Sequence, residues 1–230
     1  HFEGYRVYQR TISFILQKAV YDLYGNRKFH VRHSLGRGLY CEFADSEPTT
    51  EELAALRERM QQIIDARYTI TRCRMLTAEI NDIYERYGFD DKIELLNTRP
   101  RLYSDMYTLD NTVGYFYGAL TPDTGYIHLF DIRPYYKGFY IALPTRLDPS
   151  QLDLRVHWKK MSEVFREYHQ WVDIMGVPTI GCLNKRLIDG DMSELIKIAE
   201  AFHEKKVAAM ADQIKAAHDE RGASVVLISG

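Results

Sequence analysis

The chain has 230 residues, 46% hydrophobic and 27% charged, the proportions of a soluble globular protein with room for one domain and a substantial appendage. A formal net charge of −2 supplies no overall basic field and argues against a role resting on non-specific phosphate contacts. Cys41, Cys73 and Cys182 are too scattered for a disulfide framework or a CxxC knuckle, no apolar run approaches a membrane span, and no signal peptide is present, so the expected location is the cytoplasm, with no membrane partner.

The first predicted helix is Thr11 to Tyr24, with Ile12, Ile15, Leu16, Ala19 and Leu23 on one stripe and Gly25 as its stop. Two strands follow, 29–33 and 38–43. Thr49 and Glu52 form a capping-box pair before a helix whose core face is Leu53, Leu56, Met60, Ile63 and Ile64. After a short extended piece, Thr77 is expected to cap a helix through Tyr87. The stretch 102–143 is dense in Tyr and Phe. It offers strands at Gly114–Leu120 and Tyr126–Asp131, joined into a hairpin by the turn chemistry of Pro122-Asp123-Thr124-Gly125. Pro144 to Pro149 reads as a linker. Beyond it come a helix from Trp158 to Met175 and another, capped by Asp191 with Glu194, running to Arg221 before Gly222. The last residues, Val225 to Gly230, have the continuous aliphatic run of a strand buried on both faces. A lone strand of that kind implies that the chain continues. The expected organisation is therefore an α+β module over 1–148, a helical connector over 149–222, and the first strand of a further domain over 223–230.

The residues that carry chemistry name no reaction. His30 and His33 are three apart in a strand, which places them on opposite faces and keeps them from sharing a metal. His203-Glu204 opens like a metalloprotease helix, but position 207 is Val, so the HExxH motif is missing. His157 and His169 have no carboxylate or Cys pattern around them. There is no Gly-x-Ser-x-Gly elbow and no Cys in a nucleophile context. Asp90-Asp91, Asp105 and Asp110 have no diagnostic spacing. The tyrosines between 102 and 140 either line a pocket or pack a sheet with hydroxyls at its rim. Arg6, Arg10, Arg27, Lys28, Arg32 and Arg37 make the N-terminal part locally basic, which reads as a solvated face, with anion or RNA binding as the lesser alternative.

One likeness orders these fragments. Arg10-Thr11-Ile12-Ser13-Phe14-Ile15-Leu16-Gln17-Lys18-Ala19-Val20 resembles the opening helix of the second additional, or editing, domain of threonyl- and alanyl-tRNA synthetases, where the family reads His-x-x-x-His-Leu-Leu-x-x-Ala. The resemblance continues in order through 38–43, 50–53 with Met60 and Ile63, 91–96 and 122–127. It implies an editing-domain-like α+β fold. It also implies a metal-type centre built from two His on the helix and a Cys-x-x-x-His further on. The matching positions here are Arg10, Phe14, Phe116 and Leu120. Phe and Leu have no lone pair to give a metal and a guanidinium stays protonated. No catalytic residue and no metal site are therefore expected, tRNA is not expected as a partner, and Arg10 either holds a small anionic ligand or pairs with a nearby carboxylate.

A second likeness covers the connector. Trp171, Leu183-Asn184, Glu200 to Lys206, Ala211-Asp212 and Val225 to Gly230 resemble the region before the P-loop in bacterial uridine kinase-like nucleoside kinases. That resemblance implies that Gly230 opens an ATP-binding phosphate loop, that the partner of this region is a C-terminal kinase domain of the same chain, and that ATP and Mg are cofactors of the full-length protein but not of this stretch. The function it implies is a non-catalytic, regulatory or structural portion of an ATP-dependent nucleoside kinase. The alternative is an aminoacyl-tRNA editing hydrolase or tRNA-binding module.

Overall fold

The computed structural model describes residues 2–145, 147–154, 159–222 and 225–226. The predicted strand at 223–230 and the Gly230 assignment lie almost wholly outside them, and Val225 and Val226 are in no strand. Two compact units divide the chain, His1–Met161 and Ser162–Gly230.

The first unit is α+β with two antiparallel sheets. Strands β1 (Phe29–Leu35), β2 (Gly38–Phe43), β6 (Asp131–Tyr135) and β7 (Gly138–Ala142) form one sheet in the order β1-β2-β7-β6. Strands β3 (Ile70–Leu76), β4 (Tyr103–Leu109) and β5 (Thr112–Gly114) form the other, in that order. Helix α1 (Phe2–Tyr24) begins nine residues before the predicted start and packs on α2 (Thr50–Asp65). Ile12, Ile15, Leu16 and Ala19 of α1 join Leu56, Met60 and Ile63 of α2 and Cys41, Phe139 and Ile141 of the larger sheet in one fully buried cluster. Each such aliphatic side chain contributes about 2 kcal/mol by leaving water. A second cluster forms where α3 (Thr77–Arg86) and α4 (Asp90–Asn97) cover the smaller sheet, through Ile80, Tyr84, Leu96, Met106 and Val113.

Local signals behave as their chemistry dictates where partners are close in sequence. The Thr49 hydroxyl accepts from Glu52 N at 3.2 Å and the Glu52 carboxylate accepts from Thr49 N at 2.9 Å, the reciprocal capping box. Thr77 is not the cap of α3. Leu76 holds that position, the Glu79 carboxylate accepts its N–H, and the Thr77 hydroxyl donates to the Arg101 carbonyl instead.

The predicted hairpin at 114–131 is absent. Only Thr112–Gly114 is strand, and Thr124–Tyr126 is a turn of 3-10 helix capped by the Asp123 carboxylate. The backbone between them finds its partners on α1 and β4 side chains and, at its end, on the backbone beside β3, where Ile70 N donates to Pro122 O at 2.8 Å and Thr69 bridges Asp123. Tyr107 donates to Gly118 O at 2.8 Å, Arg10 to Ala119 O at 3.0 Å and Thr121 N to the Thr11 hydroxyl at 3.0 Å, while the Tyr8 hydroxyl both donates to Leu129 O and accepts from Leu129 N. A segment so satisfied does not pair with itself as a hairpin. The hairpins of this region are instead β4–β5 and β6–β7.

The expected linker closes a loop. Pro144 pairs with Leu152, and Asp153 N donates to Leu143 O at 3.1 Å.

The second unit is helical, with most of α5 (Lys159–Ile174), α6 (Ile180–Asp189) and α7 (Met192–Arg221). Thr179 caps α6 through Cys182 N, and Gly190 at φ 88° ends it. The Asp191 side chain does not cap α7, because its carboxylate is paired with Arg186 at 3.0 Å. Trp171 of α5 stacks on Phe202 of α7, centroids 5.6 Å apart, and Glu167 pairs with Lys206 beside them. No described helix is long and apolar enough to cross a membrane.

Candidate functional site

Helix geometry sets Arg10, Phe14 and Lys18 at successive i, i+4 positions along one line of α1. The chain segment 114–121 passes over the first two. The rings of Phe14 and Phe116 meet at 5.2 Å between centroids, and Phe116 meets Tyr107 edge-on at 6.2 Å. Phe14 is fully buried, and Phe116 and Leu120 are packed against the same core cluster. Arg10 donates to Ala119 O and pairs with Glu3 at 3.3 Å. Gly118, at φ +112°, lies so close that a Cβ there would sit 2.8 Å from the Arg10 guanidinium. The fold thus brings the four positions 10, 14, 116 and 120 to one neighbourhood, and their chemistry does not fit a metal: two aromatic rings, one aliphatic chain and a guanidinium already held by a carboxylate and a carbonyl.

Among the described residues no group of three or more His, Cys, Asp or Glu side chains could hold a metal ion. Cys41 is fully buried, and burial pushes its thiol up, away from the thiolate a nucleophile needs. The opposite-face argument for His30 and His33 fails on a bulge in β1. His30 opposes Glu42, Val31 opposes Cys41 and His33 opposes Tyr40, so Arg32 is the extra residue and both histidines lie on the face of Tyr40 and Glu42. Glu42 there accepts from Arg32 at 2.8 Å and from the Tyr40 hydroxyl at 2.5 Å. Burial lowers the His30 pKa, with Arg32 adding to the effect.

The basic N-terminal residues are engaged. Arg27 grips Asp45 and Glu52 and lies over the Phe43 ring at 3.8 Å, Lys28 pairs with Asp90, Arg32 with Glu42, Arg6 with Glu3, and Arg37 lies over Tyr5. Lys18, which the sequence marks only as helix, is fully buried and reaches Asp22, Asp110 and Asn111 at 2.7 to 3.2 Å. Asp110 forms the β4–β5 turn in a left-handed conformation, φ 49°, and its hydrogen bond from Lys18 holds its carboxyl below the usual range.

A cleft of about 540 Å³ opens beside Phe116 and Gly118. Its basic lining is Arg72 and Arg74 of β3 with Arg99 and Arg101 of the segment before β4. The register of β3 against β4 sets Arg74 opposite Asp105 and Arg72 opposite Tyr107, on the sheet face away from Met75 and Met106. Arg72 donates to Asp105 at 2.8 Å, and this bond, more than the neighbouring Arg74 and Arg101, holds the Asp105 carboxyl below its ordinary pKa. Arg99 donates to the Tyr115 and Tyr117 hydroxyls and lies 5.6 Å from the Tyr117 ring. Sequence reading missed this cluster. Its only local signal is the alternation of arginines at 72 and 74 and again at 99 and 101.

No family model matches the chain. Among curated proteins it is similar to the threonine–tRNA ligase of Hahella chejuensis, 25% identical over 132 residues, which are 56% of this chain and 21% of that protein. The chain thus spans about a fifth of the length of that relative. The similarity is distant and partial, and agrees in kind with the editing-domain likeness of the first unit.

Proposed function

We propose that the first unit is an editing-domain-like module without a hydrolytic centre, and that the chain is a non-catalytic, regulatory or structural portion of a longer ATP-dependent nucleoside kinase. The observation that carries the first part is the Phe14–Phe116 ring contact at 5.2 Å with Arg10 bound to Glu3, at the positions that match metal ligands in the synthetases. Side chains with no lone pair to offer neither ligate a metal nor activate a water. The kinase part rests on the resemblance of 171–230 alone.

The second reading, an aminoacyl-tRNA editing hydrolase or tRNA-binding module, draws support from the similarity to a threonine–tRNA ligase. Zinc analysis and deacylation of a mischarged tRNA separate the two. The proposed module carries no stoichiometric zinc and deacylates at the background rate. Deacylation that persists in Arg10→Ala would overturn it. The kinase part is tested by the reading frame beyond Gly230, which is expected to encode Gly-Lys-Ser or Gly-Lys-Thr within about ten residues, the phosphate-loop signature.

A further inference from the structure

The arginine cleft does not belong to the disarmed neighbourhood of Arg10 and Phe14, although Phe116 and Gly118 border both. It gathers four guanidinium groups around a single carboxylate, in a chain whose net charge is −2. Arg72 is committed to Asp105, and Arg99 to two tyrosine hydroxyls. Arg74 and Arg101 make no ion pair among the described residues, and both are exposed. Like charges lining one cleft repel one another, and an excess of cations over carboxylates in a cleft lined by protein concentrates a positive potential there. The planar fork of each guanidinium matches phosphate oxygens two at a time.

The rest of the lining describes the remainder of the ligand. Tyr117 and Tyr103 expose 65% and 49% of their surface and Leu102 exposes 70%, so flat and apolar faces stand beside the cations. Aromatic faces of this kind stack on nucleobases. A volume of about 540 Å³ is that of a small-molecule site and is far larger than one phosphate needs. Most other cations of the first unit are already paired, which disfavours a polynucleotide. Outside the cleft, Arg27, Lys28, Arg32, Arg57, Arg59 and Arg133 are each bound to a carboxylate within 3.1 Å. A nucleic-acid strand would need a continuing run of free cations to follow its backbone.

We propose that this cleft binds a free nucleoside di- or triphosphate, its phosphates on Arg74 and Arg101 with Arg99 beside them and its base against Tyr117 and Tyr103. The proposal goes beyond the reading of the module as disarmed and does not depend on the kinase. It concerns binding, so its failure leaves the deacylation and zinc results untouched.

Calorimetric titration of the 230-residue chain tests it, with ATP, UTP, uridine, pyrophosphate and a 12-nucleotide single-stranded RNA as probes. At least one triphosphate binds, and uridine does not. Each removed charge-assisted contact costs about tenfold, so Arg74→Gln/Arg101→Gln weakens binding about a hundredfold. Tyr117→Ala weakens the nucleotide and leaves pyrophosphate unchanged. Circular dichroism melting confirms that the variants fold. Four results overturn the proposal: no nucleotide binding, binding indifferent to the double substitution, pyrophosphate bound as tightly as nucleotide with Tyr117→Ala silent, or RNA bound while free nucleotides are not.

Discussion

Two cationic groups in the first unit show opposite solutions to the same problem. Lys18 is buried on α1 and surrounded by Asp22, Asp110 and Asn111, with the Tyr68 ring 5.5 Å away. Arg74 and Arg101 stand in an open cleft around Asp105, which is already taken by Arg72. A buried ammonium must have its partners built in, because desolvation without them costs several kcal/mol. An exposed guanidinium keeps water and can wait for a ligand. The difference therefore divides charges that hold the fold from charges available for binding, although both groups are attached to the same three-stranded sheet.

Substitutions should separate the two groups widely. Lys18→Ala leaves Asp110 unpaired in its left-handed turn and cuts the tie between α1 and the β4–β5 hairpin. Asp22 keeps Arg59 at 2.8 Å, so the loss falls near the lower end for a broken buried pair, about 3 kcal/mol, or about 10 °C in Tm for a chain this long. Thermal melting with a Tm within about 2 °C of the parent would break the comparison. Arg27→Ala is the intermediate case. Arg27 joins Asp45, Glu52 and Ser46 across the start of α2 while lying on the Phe43 ring. Its loss should cost about 2 kcal/mol in chemical denaturation, the value of partly buried hydrogen bonds to charged groups.

Arg74→Gln/Arg101→Gln should leave unfolding free energy within about 0.5 kcal/mol of the parent, since neither side chain has an ion-pair partner to lose. A loss above about 1.5 kcal/mol in urea denaturation would mean that these arginines are structural after all, and would place them with Lys18.

The contrast was only half legible in the residues. The buried stripe of α1 and the Thr49–Glu52 box could be read because their partners lie within a few positions. The 114–131 segment could not. Its turn residues promised a hairpin, but its backbone is satisfied by Tyr8, Arg10, Thr11 and Tyr107, and Tyr8 lies 121 positions from Leu129. Burial of a lysine is likewise invisible until the β4–β5 turn arrives beside it. The bulge at Arg32 brought His30 and His33 to one face through a single unpaired residue. The neighbourhood of positions 10, 14, 116 and 120 was legible only through the likeness to the synthetases. The arginine cleft was hidden because two ordinary alternations, one in β3 and one before β4, acquire meaning only when the register joins them.

The smallest expected effect lies in acid. Asp105 has its carboxyl held down, first by Arg72 and then by Arg74 and Arg101. A depressed folded pKa contributes stability that is present above the unfolded value, about 3.9, and is lost as pH falls through the folded one. Carboxyl carbon NMR follows this group directly. Arg72→Gln should return Asp105 most of the way to the ordinary value, because it removes the hydrogen bond. Arg74→Gln/Arg101→Gln should raise it only slightly, because those side chains act through space across a solvated cleft, where charge effects are screened. Stability above about pH 4 should fall in the same order, while stability well below the folded pKa stays unchanged, so the part of the acid-induced loss that belongs to Asp105 shrinks. A larger rise in the double variant than in Arg72→Gln would mean that Arg74 and Arg101 are bonded to Asp105 in solution, and the cleft would then hold no cations free to receive a phosphate.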